Sequence, residues 1–183
     1  MRVIAGAARG TRLIVPKHKG VRPTSDRTRQ ILFDTLRGWV PTCNTVLDVF
    51  AGSGAIGIEA LSRGAELAMF VEKSRTVAQT LLKNLERTHL KARARVLVID
   101  AFSFLSKSPP MAFDCIFIDP PYAKSYSQKV MMLLARDGWL SEHGVCVVEE
   151  SRRSDFNPPD AFRVLAEKHV GDTVLWFLTQ KES

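Results

Sequence analysis

From Thr45 onward the chain alternates short apolar runs with amphipathic stretches, and this alternation limits the folds open to it more than any other feature. Residues 46–50, 67–72, 94–99, 113–118 and 144–149 read as strands, with helices expected over 55–63, 75–88, 102–107 and 126–136. Strands that are apolar on both faces and joined by helices assemble into a mostly parallel sheet covered on both sides. The end of the chain is patterned differently. Residues 162–169 and 173–179 flank Val170-Gly171-Asp172 and are expected to pair as an antiparallel hairpin closing one sheet edge. A length of 183 residues suits one such core without disulfides or metal.

Ahead of this alternation lies a basic extension. Residues 2–5 and 12–15 are apolar runs separated by Gly6 and Gly10, which predicts a small hairpin. Thr24 or Ser25 then caps a helix over 25–38, with Ile31, Phe33, Leu36 and Trp39 as its apolar stripe. The division expected is residues 1–40 as a basic extension and 41–183 as the main α/β domain. Residues 1–37 hold nine Lys/Arg against two acids, whereas the remainder holds 17 of each. The whole net charge of +7 is therefore assigned to the extension, as for a surface that meets a polyanion. Arg9, Arg12, Lys17, Lys19 and Arg22 are its candidate nucleic-acid-binding residues. Cys43, Cys115 and Cys146 are isolated and odd in number, and read as small packing residues rather than a disulfide or metal set. No apolar run approaches the roughly 18 residues that span a bilayer, and no secretory leader is read at the N-terminus. A monomeric cytoplasmic protein without a metal or a membrane role is expected.

Gly52-Ser53-Gly54-Ala55-Ile56-Gly57 satisfies G-x-G-x-x-G between a strand and a helix. Gly52 and Gly54 allow a sharp turn close to a ligand, and Gly57 allows the helix to pack near the sheet. Glu72 closes the second strand, where a carboxylate can accept from both hydroxyls of an adenosine ribose. Asp48 is an acid inside an apolar strand, which requires a donor: a ligand ammonium or the amides of the loop. Asp100 either accepts from an adenine amino group or caps the helix that follows it. With Phe50, Ala51, Lys73 and Ala101 beside them, these residues make an adenosine-ligand site. NAD and S-adenosylmethionine (SAM) both satisfy it.

Asp119-Pro120-Pro121-Tyr122 follows an apolar strand, at the same carboxyl edge of the sheet as the glycine loop. The amine of a nucleic-acid base is a poor nucleophile because its lone pair is delocalised into the ring. A carboxylate and a main-chain carbonyl held by two φ-locked prolines can accept its two N–H groups and turn the lone pair towards an electrophile. An aromatic ring at the fourth position can stack on the base. Asn157-Pro158-Pro159-Asp160 lacks both the preceding strand and the aromatic, and reads as a loop.

Together these motifs resemble the class I SAM-dependent methyltransferases that carry Asp-Pro-Pro-Tyr. Over essentially the whole chain the sequence is similar to the bacterial 16S rRNA guanine-N2 methyltransferases, the D type among the enzymes that methylate small-subunit rRNA. The stretches that carry the resemblance are Arg22-Pro23-Thr24 with the helix through Leu32-Phe33, residues 47–65, and residues 116–122. The resemblance implies a Rossmann-like seven-stranded sheet, SAM as methyl donor with S-adenosylhomocysteine as product, and methylation of one guanine N2 in 16S rRNA. It places the ribose on Glu72, the adenine by Asp100 and the target base at Asp119–Tyr122. Ala7, Ala8 and Thr11 depart from it, standing where bulkier or basic residues are expected in the hairpin. Three other readings fit less of the chain. A DNA adenine-N6 methyltransferase would bring a target-recognition region that the first 40 residues are too short to supply. An NAD-dependent oxidoreductase leaves Asp119–Tyr122 unexplained, and a non-catalytic RNA-binding module makes both ligand motifs accidental.

Overall fold

A computed structural model of the chain describes residues 1–16, 25–39, 43–121, 126–136 and 138–181. Its centre is a seven-stranded sheet in the order β3-β2-β1-β4-β5-β7-β6. The strands are β1 (Thr45–Asp48), β2 (Leu67–Val71), β3 (Ala94–Leu97), β4 (Phe113–Ile118), β5 (Leu140–Ser151), β6 (Phe162–Val170) and β7 (Thr173–Gln180). The first five pair in parallel, and β7 runs antiparallel to both β5 and β6. The C-terminal hairpin thus closes one edge as the turn at 170–172 predicts, with its second strand on the inside. β5 is longer than expected, starting at Leu140 and shifting register between Phe113 and Cys115 of its neighbour.

Among the described residues five α-helices cover the sheet: α1 (Asp26–Leu36), α2 (Ala55–Ser62), α3 (Arg75–Arg87), α4 (Ala101–Leu105) and α5 (Tyr126–Leu134). Successive strand residues point to opposite faces, so each strand feeds two cores. Val46, Phe70 and Phe117 meet α1, α2 and α3 through Leu32, Phe33, Ile58, Leu61, Leu81 and Leu85. Leu47, Val71 and Ile116 meet α4 and α5 through Leu105, Val130, Met131 and Leu134. Asp114 joins the starts of β1 and β4, its Oδ2 accepting from the amides of Asn44 and Thr45, each at 3.0 Å. Among the described residues no helix is long and apolar enough to cross a membrane.

The extension departs most from expectation. Its hairpin reduces to one antiparallel bridge, Arg2 to Arg12, with Val3 paired to Thr11 and Gly10, because the amides of Ile4, Ala5, Ala7 and Ala8 donate to α2 instead of to a partner strand. Glu59 accepts from the amides of Ile4 and Ala5 at 2.8 and 3.0 Å, and Ser62 Oγ accepts from Ala8 at 2.9 Å. Val3, Ala8 and Leu13 are buried in the core beneath α2 and α3. At its far end Asn84 of α3 accepts from the Ile14 amide at 2.7 Å and donates to the Ile14 carbonyl at 2.9 Å.

Ser25 caps α1, accepting from the Thr28 amide at 3.0 Å; Thr24 lies outside the described residues. The buried stripe of α1 is Leu32, Phe33 and Leu36, with Ile31 only half-buried and Trp39 36% exposed beyond the helix end. Arg29, counted with the surface charge, is fully buried and donates to Asp26 at 2.7 Å and to the Arg2 carbonyl at 2.6 Å. The cysteines also differ from expectation. Cys43 leads into β1 and Cys115 sits on the adjacent β4, which brings two residues 72 apart in sequence to a Cα–Cα distance of 6.1 Å as a disulfide. Cys146 is a buried thiol.

Candidate active site

The sheet order reverses between β1 and β4: β2 and β3 build out on one side, β5 and the hairpin on the other. Loops leaving the carboxyl ends of two such neighbours diverge and leave a crevice. Here those loops are 49–54 after β1 and the segment beginning Asp119-Pro120-Pro121 after β4. The glycine motif and the Asp-Pro-Pro motif therefore flank one opening.

The glycine loop is built around two carboxylates. The N-cap of α2 is Gly54, in the left-handed region at φ 78° and without a side chain to cap the helix. Asp48, at the end of β1, substitutes by accepting from the Gly57 amide at 3.1 Å. That donor supplies one of the two partners expected for Asp48, a backbone amide of the glycine motif. A Cβ on Gly57 would lie 2.3 Å from the Phe70 ring of β2, so glycine is needed for α2 to sit this close to the sheet. Asp48 is only 3% exposed. Burial pushes its carboxyl up to about 7, opposed by the Gly57 hydrogen bond and reinforced by the charges of Asp119 and Glu72. Asp119 and Glu72 thus both lie near enough to act on the Asp48 carboxyl.

Glu72 follows β2 and is half-buried. Its Oε2 accepts from the Gly52 amide at 3.1 Å and its Oε1 from the Ser74 amide at 2.7 Å. Each oxygen keeps a lone pair directed elsewhere, so the side chain is fixed in place and still able to accept. Lys73 beside it is exposed. Asp100 is exposed and caps α4, its Oδ1 accepting from the Ser103 amide at 3.0 Å, with Ala101 buried as the first residue of the helix. The Ser53 carbonyl accepts from Asn84 at 2.9 Å. Ala51 is buried, its amide donating to the Val71 carbonyl at 3.0 Å. Phe50 is half-buried and meets Phe102 and Tyr126, ring centroids 6.4 and 6.5 Å away, forming an aromatic wall between the loop, α4 and α5.

Asp119 and Pro120 are half-buried and Pro121 exposed at the end of β4. Tyr122 lies outside the described residues, as do Lys17, Lys19 and Arg22. Arg9 and Arg12 are exposed on the extension. Three residues that shape this region, Glu59, Arg63 and Asn84, were not among the candidates drawn from the sequence. Arg63 donates to Glu59 at 2.8 Å and lies 4.8 Å over the Phe33 ring. The available signal was an acid and an amide at otherwise apolar helix positions.

The profile of the family described as Conserved hypothetical protein 95 matches residues 1–179. The Ribosomal RNA small subunit methyltransferase D of Escherichia coli is 39% identical, with 100% of this chain and 91% of that protein covered. The protein of the same name from Haemophilus influenzae is 35% identical over 93% of this chain and 89% of its own length. The solved structure of the Escherichia coli protein yhhF superposes with a TM-score of 0.86 at 37% identity, covering 100% of this chain and 99% of that one.

Proposed function

The chain belongs to the Conserved hypothetical protein 95 family, which spans residues 1–179, and from that membership we propose that it transfers a methyl group from SAM to a guanine N2 amine in the RNA of the small ribosomal subunit. The observation that carries this reading is the convergence of Asp48, Glu72 and Asp119 on one crevice at the sheet's reversal point.

The residues fit SAM. Glu72, already oriented by two backbone amides, would hold the ribose hydroxyls. Asp100 and Ala101 would face the adenine, and Phe50, Ala51, Gly52, Ser53 and Gly54 would line the rest with Lys73 at the rim. Asp48 would hold the loop at Gly57 and face the ligand's positive charge. What SAM supplies is an electrophilic methyl group bonded to a sulfonium. Asp119 and a main-chain carbonyl of the Pro120-Pro121 segment would accept the two N–H groups of the guanine amine, directing its lone pair at that methyl, and Asp119 can take the proton released. Tyr122 would stack on the base. Arg9 and Arg12, with Lys17, Lys19 and Arg22, would hold RNA phosphates around a guanine exposed or turned out of its stack. The same reading makes the protein a cytoplasmic monomer.

The test is incubation with SAM and small ribosomal subunits, followed by nucleoside digestion and mass spectrometry. N2-methylguanosine is expected with the wild type. Asp119→Ala should lower the rate by orders of magnitude while leaving SAM affinity nearly unchanged, since its hydrogen bond is to the target amine. Methyl groups on adenine alone, or near-normal turnover by Asp119→Ala, would overturn the reading.

A further inference from the structure

Averaged over residues 38–183 the charge is balanced, but the average conceals a second basic block. Residues 73–95 hold seven Lys/Arg and a single acid, Glu86. The fold gathers most of them on one surface. Arg75, Lys83 and Arg87 recur at four-residue spacing with Gln79 and are all exposed, so they form one stripe along the outer side of α3. That stripe spans about 18 Å at the α-helical rise. Lys73 extends it towards Glu72 and the crevice; exposed Lys91 and Arg95 extend it the other way, on to the sheet edge formed by β3. The acid does not cancel it. Glu86 is bonded to Lys91 at 2.7 Å, and that hydrogen bond, with the charges of Lys91 and Lys83, holds its carboxyl below the usual range.

The stripe is also continuous with the extension. Asn84 holds the Ile14 backbone between Lys83 and Arg87 in sequence, two residues beyond exposed Arg12. Both basic segments pack on the same face of the sheet. Resting on the rRNA reading above, we propose that the outer side of α3 and the β3 edge join the extension in one phosphate-binding surface, which leads the RNA backbone along α3 to the mouth of the active site. A row of like charges with a single, already paired counter-charge is complementary to a polyphosphate chain.

Binding of transcribed 16S rRNA, measured by filter retention over a series of salt concentrations, tests this with the full chain. The Lys83→Ala/Arg87→Ala pair should bind roughly tenfold more weakly at physiological salt, and its slope of log affinity against log salt should flatten by about 0.7–0.9 per lost contact. SAM affinity by calorimetry and the thermal midpoint should stay at wild-type values. The Arg163→Ala/Lys168→Ala pair, on exposed positions of β6 at the opposite sheet edge, should leave the slope unchanged. If the α3 pair behaves like the β6 pair while the wild type still binds and methylates rRNA, α3 is only a solvated face and the proposal fails alone. If the wild type neither binds nor methylates rRNA, the functional reading fails with it.

Discussion

Glu59 is fully buried in α2 and its carboxylate serves three donors: the amides of Ile4 and Ala5 and the Arg63 guanidinium, with Arg29 at 3.9 Å. Glu59→Ala removes all three at once and leaves the largely buried Arg63 guanidinium without its acid, while Arg29 keeps Asp26 alone. Breaking a buried pair by deleting one partner costs about 3–5 kcal/mol. Ile4 and Ala5 are half-buried, so water recovers part of what their amides lose, and that range serves for the whole substitution. For a chain of this size each kcal/mol moves the melting midpoint by about 2–4 °C, which gives a fall of about 6–20 °C. Urea unfolding should show the same loss as a shift in midpoint at constant slope. Trypsin should distinguish the cause: cleavage after Arg9 and Arg12 should accelerate in Glu59→Ala, but far less in Arg63→Ala, which keeps both bonds to the extension. A Glu59→Ala protein destabilised by less than about 1 kcal/mol, with the extension still protected from trypsin, would refute the view that this carboxylate fastens the N-terminus to the core.

Two further outcomes follow from the crevice. Asp48 holds its proton up to about pH 7 when folded, against 3.8 for its ordinary value, so the folded protein binds more protons than the unfolded one in that window. Stability should therefore fall as pH rises from about 4 to 7, by about 4 kcal/mol in all from this group, and Asp48→Asn should flatten that limb in denaturation series; an unchanged limb would contradict the buried, protonated carboxyl. Glu72→Ala removes a carboxylate proposed to accept two ribose hydroxyls, at about 1.5–3 kcal/mol each, so calorimetry should show SAM affinity reduced at least tenfold, and an unaltered affinity would move the ribose elsewhere.

The parallel sheet was legible because its strands are apolar on both faces and its helices fall between them at regular spacing. The glycine loop and the Asp-Pro-Pro turn were legible because each sits directly after a strand, which fixes the sheet edge it occupies. The extension was not. Its residues read as a hairpin because alternation is a local signal, whereas its actual partners, Glu59, Ser62 and Asn84, lie 54–70 residues away. Glu59 and Ser62 stood inside the stretch that carried the family resemblance, but nothing local in that stretch reveals the backbone amides they bind. Arg29 shows the same limit. Its charge suggested solvent; Asp26 is a neighbour one helical turn away, but only the fold supplies the Arg2 carbonyl and Glu59 around it. The cysteines were misread for a related reason, since strand order decides which distant thiols become neighbours.

The anchoring of the first residues on α2 and α3 sets an order of events during synthesis. Residues 1–14 are made well before α3, and Ile14 has no Asn84 to dock on until 70 more residues have been added. At about 5–20 residues per second that delay is about 4–14 seconds. Throughout it Arg2, Arg9 and Arg12 are carried on a segment whose receptor does not yet exist, beside the RNA of the machine that is making it. This segment is thus made before its receptor and can dock only once the glycine loop and α3 have followed it, while β3 to β7 are still to come.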